Sequence, residues 1–315
     1  MAFIGTKPSK AKKIKGEKLK LFRNNFDLYL LLIPGLVYLF MFKYLPMYGI
    51  LIAFQDYNMF KGIAGSEWVG LKHFMNMFSQ AEFYQLFRNT LCISIYKLVF
   101  LFPIQIFIAL LLNEIHVTWF KKTTQTIIYI PHFLSWVIVA GIFQTLLSPS
   151  SGIVNQVIQK LGGEPVSFLM SKEWFRTVLV VSSGWRSTGY SAVVYIAAIA
   201  GIDQELYEAA TVDGAGKIRQ ILHITLPGIS TTIVLMLILK LGQIMDAGTE
   251  QILLMYNPTV YEVGDVIGTY VYRIGLGKQE YSFSTAVGLF NSVIGFILVI
   301  SGNFVSRKVS GSSIW

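Results

Sequence analysis

The chain has 315 residues, 54% of them hydrophobic and only 14% charged, with a mean hydropathy of +0.57. Soluble domains carry about 25% charged residues, so this composition excludes an ordinary water-soluble globule and points to lipid as the solvent. The single cysteine, Cys92, excludes an intrachain disulfide and a cysteine-based metal site, and the four histidines are scattered along the chain.

In chain order, the first feature is a basic block. The net charge is +9, and eight of the 26 Lys and Arg residues fall between Lys7 and Arg23, directly before the first apolar run. A block so placed suits an anchor against anionic headgroups better than a nucleic-acid arm, so no nucleic-acid partner is expected. The apolar run after it is too long for a signal peptide and has no A-x-A-like site beyond it; a retained helix is expected.

A helix needs about 20 mostly apolar residues to cross a bilayer. Six segments qualify: 27–53, 89–113, 125–147, 175–201, 229–250 and 282–305. Pro34, Pro103 and Pro131 fall inside three of them and are each expected to kink the helix. Gly288, Gly295 and Gly302 recur every seven residues in the last, a stripe suited equally to intrachain packing and to a subunit interface.

An even number of spans puts both termini on one side. Residues 1–26, 114–124, 202–228 and 306–315 hold 14 Lys and Arg, against 7 in the loops 54–88, 148–174 and 251–280. That bias expects the termini and the 202–228 loop in the cytoplasm. The expected organisation is a basic cytoplasmic segment 1–26, a first helix and outer loop 27–88, a core of five further helices 89–305 and a cytoplasmic tail 306–315. The fold class is all-α integral membrane.

One polar stretch interrupts this pattern. Residues 203–213, DQELYEAATVD, are strong helix material with Asp203 as N-cap. Gly214 and Gly216 favour a break. A second amphipathic stretch then places Ile218, Ile221, Leu222 and Thr225 at i, i+3, i+4 and i+7, and Pro227 is expected to end it. The pattern predicts two short helices on the membrane face joined at a glycine corner. On pattern alone, an interfacial linker and a partner-docking element explain it equally well.

The residues Glu208-Ala209-Ala210, three more, Gly214, nine more, then Ile224-x-Leu226-Pro227 match in full the EAA loop of ABC importer permeases. The chain resembles the permeases of binding-protein-dependent carbohydrate importers of the maltose type, in the branch for oligosaccharides released from polysaccharides. FKYLPMYGILIAFQDYN (42–58), SEWVGLKHF (66–74), ALLLNEI (109–115), QTIIYIPHFLSW (125–136), YEAATVDGAGK (207–217) and the final SSIW are typical of that branch. The resemblance implies a type I ABC importer permease fold of six transmembrane helices, in a bacterial plasma membrane.

It implies coupling to a separate ATPase through Glu208, Ala209, Ala210, Asp213, Gly214, Ile224, Leu226 and Pro227. The implied partners are a second homologous permease, two cytoplasmic ATPase subunits and an extracellular sugar-binding protein or lipoprotein. No cofactor is expected in this chain, ATP and Mg being bound by the partner ATPase. No G-x-x-x-x-G-K-[ST], H-E-x-x-H or G-x-S-x-G occurs, so enzyme chemistry is not expected here.

Polar residues inside a span face a bundle interior or a water-filled cavity. Ser183, Arg186, Ser187 and Tyr190 fall on one face of the fourth span; Met236, Lys240, Gln243, Ala247 and Glu250 stripe the fifth, with Asp246 beside them. By resemblance to maltose-type permeases, Trp185 falls where such a permease has a sugar-stacking tryptophan. An aromatic face suits a sugar ring, Tyr190, Lys240 and Gln243 suit hydroxyls, and Arg186 and Lys240 suit a uronic carboxylate. Against that, Arg186 could pair internally with Asp246 or Glu250. His132 is a weaker pathway candidate, expected rather to be a hydrogen-bonded structural residue.

Two rival readings stand beside the importer. An ion-coupled secondary transporter would use intramembrane acids, but no inverted repeat is visible; a membrane hydrolase lacks a nucleophile–base pair.

Overall fold

A computed structural model of the chain describes residues 25–310, so the basic block 7–23 and the terminal SSIW lie outside the described residues. All six predicted segments are helical, but only some are straight. Among the described residues three helices are long and apolar enough to cross a membrane: Phe26–Phe54, Ala81–Asn113 and Tyr281–Lys308. Two further candidates are bent pairs, Thr118–Phe133 with Trp136–Leu146 at 102° and Lys217–Gly228 with Ser230–Gly242 at 60°.

The first rod begins as α1 (Phe26–Leu39), widens into a π turn at Phe40–Tyr44 and tightens into a 3-10 stretch at Leu45–Phe54. Pro34 sits inside it without a break. None of the side chains of α1 is buried within this chain. An apolar surface of that extent is matched to lipid or to another polypeptide. A two-residue hairpin, β1 (Gln55–Asp56) against β2 (Glu67–Trp68), and α2 (Lys72–Ser79) lead to α3 (Ala81–Asn113). At 33 residues α3 is about 50 Å long, well beyond the roughly 30 Å hydrocarbon core. Pro103 does not interrupt it.

Only Pro131 coincides with a break. The third predicted span divides into α4 (Thr118–Tyr129), a 3-10 turn (Ile130–Phe133) and α5 (Trp136–Leu146). Proline cannot donate to the preceding turn, and Ser135 starts the new helix, its side chain accepting from Ile138 N at 3.3 Å. At 12 and 11 residues, neither half could cross alone.

The fourth segment, α6 (Phe175–Ala200), is an unbroken helix of 26 residues, more polar than the others. It packs along α3, and Tyr195, Ile199, Ala109 and Ile229 form a shared core at one end. The fifth departs most from expectation. Its helix, α9 (Ser230–Gly242), is only 13 residues long, and the chain then turns through 243–248 before α10 (Thr249–Met255). Leading into α9 are α7 (Gln204–Val212) and α8 (Lys217–Gln220).

The predicted outer loop 251–280 is not a loop. It folds into short helical turns, including α11 (Ile267–Tyr272), and Val260, Val266 and Ile267 are fully buried. Turns of four to seven residues are too short to show a helical period in sequence. The last helix, α12 (Tyr281–Ser310), runs past the predicted end of its span. Of its glycine stripe, Gly295 and Gly302 pack within the chain, against Gly242 and Met245 and against Leu241; Gly288 faces open space.

The closest approach involving a helical glycine of α6 is at Gly189, where a Cβ would sit 2.2 Å from Ile128 O of α4. Gly189→Ala should therefore destabilise the detergent-purified protein by about 1–3 kcal/mol, seen as a lowered unfolding temperature. Gly288→Ala has room, and should be neutral or stabilising by up to about 1 kcal/mol.

Candidate functional site

The polar insert is a capped corner. Asp203 Oδ1 accepts from Glu205 N at 3.0 Å and starts α7. Gly214 ends it in the left-handed region at φ 74, with Ala215 N bonded to Ala210 O at 2.8 Å and Gly214 N to Thr211 O at 3.0 Å. Those two bonds satisfy carbonyls that the helix end would leave free. Gly216, at φ −67, is not in that region; it opens the next helix in extended backbone.

From Lys217 the chain is helical to Gly228, with a π turn over Ile221–Thr225. Here two expectations are corrected. Pro227 lies within this rod rather than ending it; the bend comes after it, at Ile229. The apolar stripe is not one buried face either. Ile218 and Leu222 are 75% and 54% exposed, while Thr225 is buried and shares a hydrogen bond of 2.9 Å with Tyr207 OH. The π turn adds a residue to the turn and so rotates the two halves of the stripe apart.

The two limbs of the corner are tied together. Buried Gln220 donates from Nε2 to Thr211 Oγ1 and Ala215 O, while Lys217 Nζ pairs with Glu114 at the end of α3 at 3.3 Å and ties the corner to the bundle. Glu208, Ala209 and Asp213 are exposed, Ala210 half-buried, and Val212 stands 88% exposed at the crest. Ile224 and Leu226 are half-buried, Leu226 packing on the core around Tyr195, while Pro227 is exposed. One half of the motif thus faces outward and the other grips the bundle.

The candidate pathway residues divide between two places. Ser183 and Ser187 of α6, Lys240 and Gln243 at the end of α9, and Asp246 in the following turn line one cavity of about 190 Å³. Arg186 and Tyr190 turn instead toward the corner between α4 and α5. Four residues at i, i+3, i+4 and i+7 cover an arc of about 100° on a helix, wide enough to abut two neighbours. The fifth stripe is likewise discontinuous, because its helix stops at Gly242; Ala247 is buried beyond the break.

At that second place the rings of His132 and Tyr190 stack at 3.9 Å, 3° from parallel, with Phe133 edge-on to Tyr190. His132 Nδ1 is buried with no hydrogen-bond partner among the described residues, and the imidazole is held by ring stacking. Arg186 Nε donates to Leu134 O at 3.0 Å, and its guanidinium lies 4.8 Å from the Trp136 ring. Among the described residues no ion pair joins it to Asp246 or Glu250. Trp185, pointing off the stripe as an ideal helix requires, is 43% exposed with its ring 6.0 Å from Phe143. Half-exposed aromatic faces of this kind suit the apolar side of a sugar.

The third wall of the cavity is α3, through Ser94, Lys97 and Gln105. Sequence reasoning passed over all three, though Lys97 is the only charge between residues 89 and 113. A charge in an apolar span is a functional signal wherever it falls.

Comparison with known proteins agrees with this architecture. Residues 105–311 match the family described as binding-protein-dependent transport system inner membrane component. The chain is 47% identical over 306 residues to the polygalacturonan/rhamnogalacturonan transport system permease protein YteP of Bacillus subtilis, covering 97% of this chain and 95% of that protein. It is also 47% identical to protein LplB of the same organism, covering 89% and 88%. A chain in the crystal structure of a bacterial ABC transporter that imports the acidic polysaccharide alginate superposes with a TM-score of 0.86 at 40% identity, covering 93% of this chain and 99% of that one. The same transporter type has been solved in complex with an alginate pentasaccharide-bound periplasmic protein, with a TM-score of 0.86. With a capped EAA corner, helices interrupted within the bundle and a polar cavity between them, the chain belongs to the binding-protein-dependent transport system inner membrane components, the membrane-embedded permeases of ABC importers.

Proposed function

We propose that this permease forms half of the translocation pathway for oligosaccharides released from polysaccharides, uronic-acid-containing ones among them. It hydrolyses nothing itself. The observation that carries the reading is a direct line of chain, two helices joined at a bend, from corner to cavity. The rod Lys217–Gly228 leaves the exposed EAA corner, bends by 60° and continues as α9, whose last turn bears Lys240 on the cavity wall. A push on the corner reaches the cavity through two helices joined at Ile229.

On this reading two cytoplasmic ATPase subunits, which bind ATP and Mg, engage the corner through Glu208, Ala209 and Ala210 and the crest at Val212. A second, homologous permease completes the pore, and an extracellular sugar-binding lipoprotein delivers the cargo. The termini and the corner face the cytoplasm of a bacterial cell. The relatives named for rhamnogalacturonan and alginate support acidic glycans as cargo, and the half-exposed Trp185 and Tyr190 support a sugar sliding over aromatic faces.

Four measurements test this. In proteoliposomes holding the complete transporter, replacing residues 204–216 by a Gly-Ser linker should abolish ATP-dependent uptake; uptake driven instead by an ion gradient would point to a secondary transporter. Gly214→Val should lower uptake severalfold, since it forces a branched side chain into the left-handed region at a strain of about 1–2 kcal/mol, while Gly216→Ala should not. Alanine at Trp185, Tyr190 and Lys240 should impair uptake while the complex still co-purifies. For orientation, a cysteine at Val212 in a Cys92→Ser background should react with an impermeant maleimide only from the inner side; labelling from outside would refute the topology.

A further inference from the structure

Beside the polar cavity, across the seam where Leu101 of α3 meets Gly184 of α6, the two helices leave an apolar groove. Tyr96, Phe100, Ile104 and Ile108 recur every fourth residue along its α3 side, and Val181 faces them from α6. Most of these side chains are half-exposed, so the groove opens to the outside of the chain along its length. It runs from Arg176 to Thr188, twelve residues of α6 or about 18 Å. That is close to the depth of one leaflet of a hydrocarbon core about 30 Å thick.

The mouth of the groove is charged and lies at the end of α6 remote from the EAA corner. Lys172, Glu173 and Arg176 stand there, with Trp174 half-exposed among them, at the level where tryptophan marks a membrane interface. Glu262 joins them from the segment above. Lys172 pairs with it, and Lys172 first and Arg88 more weakly hold its carboxyl below the usual carboxylate range. Three cations thus meet two carboxylates, and the cations are not used up. Arg88 has no hydrogen bond or ion pair among the described residues. Arg176 commits only Nε and one terminal nitrogen, to Val263 O at 3.0 Å and Asn89 Oδ1 at 2.9 Å.

A net positive mouth at headgroup depth, above an apolar trough one leaflet deep, is complementary to an anionic amphiphile. A helix of another subunit would fill the trough but need bring no anion to its mouth, whereas a phosphodiester always does. We propose that the groove holds one acyl chain of an anionic phospholipid, with its phosphate among Arg88, Lys172 and Arg176. The chain backs the wall of the polar cavity, because Leu101 lines both spaces. On the cavity side of that wall, Lys97 Nζ donates to Ala247 O at 2.8 Å and holds Ala247 in the left-handed region at φ 52. Hydrocarbon behind Leu101 keeps water from this bond, which is stronger in a dry surrounding. The site is independent of which sugar the permease carries.

The test compares phosphatidylglycerol with phosphatidylcholine on the complete transporter, purified in detergent and stripped of lipid. By native mass spectrometry the wild type should retain phosphatidylglycerol at least about twentyfold better. Arg88→Gln and Lys172→Gln should each lower that preference about fivefold, the scale of one basic residue near an anionic headgroup. Glu262→Gln releases Lys172 and should raise it. Val181→Trp fills the trough without touching the charges and should also lower phosphatidylglycerol retention. Equal retention of the two lipids by the wild type, or unchanged retention in Val181→Trp, overturns the site. A photo-crosslinker in place of Val181 should give an adduct of one lipid mass; an adduct with the second permease makes the groove a subunit interface and overturns the proposal. In proteoliposomes, changing phosphatidylglycerol for phosphatidylcholine should lower wild-type uptake severalfold, and the Arg88→Gln, Lys172→Gln double variant should be equally low in both. Wild-type uptake indifferent to the lipid overturns the role given to the chain, while the permease reading stands.

Discussion

A helix that stops inside a bilayer leaves carbonyl groups with no water to turn to. This chain stops twice, once between α4 and α5 and once after α9, and each time a polar side chain from a neighbouring helix takes the freed oxygen. Arg186 of α6 takes Leu134 O. Ser94 and Lys97 of α3 take Ile244 O and Ala247 O, and Asn291 of α12 takes Met245 O. Much of the polarity of the bundle exists because its backbone is broken. The breaks in turn let side chains such as Lys240 and Gln243 leave the helical register and face a cavity.

The energetics favour this arrangement only as a set. A left-handed alanine is unfavourable by about 1–2 kcal/mol, and a hydrogen bond from a charged group returns about 1.5–3 kcal/mol. Without Lys97 the turn at Ala247 would be strained and unsatisfied at once. With it, a short helix of 13 residues ends on the wall of the polar cavity. The capped corner at Gly214 is the counterpart at the other end of the same line of chain: a left-handed turn placed at a glycine, carbonyls satisfied by the backbone, and two helices bent by 60° between.

The parts legible in sequence were those with local signatures. The corner was marked by Asp203, the EAA residues and Gly214; Asp203 caps its helix and Gly214 takes the left-handed turn. Hydropathy located all six helical segments, and Pro131 was one of three prolines expected to kink a helix. Pro131 breaks its helix because Ser135, four residues on, caps a new one; Pro34 and Pro103 have no such cap beyond them within their helices. The break after α9 has no proline at all. It depends on Lys97, some 150 residues earlier, a tertiary fact that no window of sequence contains. The same holds for Arg186, whose carbonyl partner belongs to the third segment and not to the acids of the fifth, and for the short turns of 251–280, whose burial comes from the helices around them.

The π turn at Ile221–Thr225 carries a consequence for how this protein tolerates change. A wide turn holds one residue more than an α turn, and each residue of a helix advances the azimuth by about 100°. Loss of a single residue there would restore ordinary winding yet swing Val212 and the EAA face through more than a quarter circle relative to α9. The helix would be whole but its exposed corner would point elsewhere, so the length of this segment sets the direction of the corner as much as its composition does.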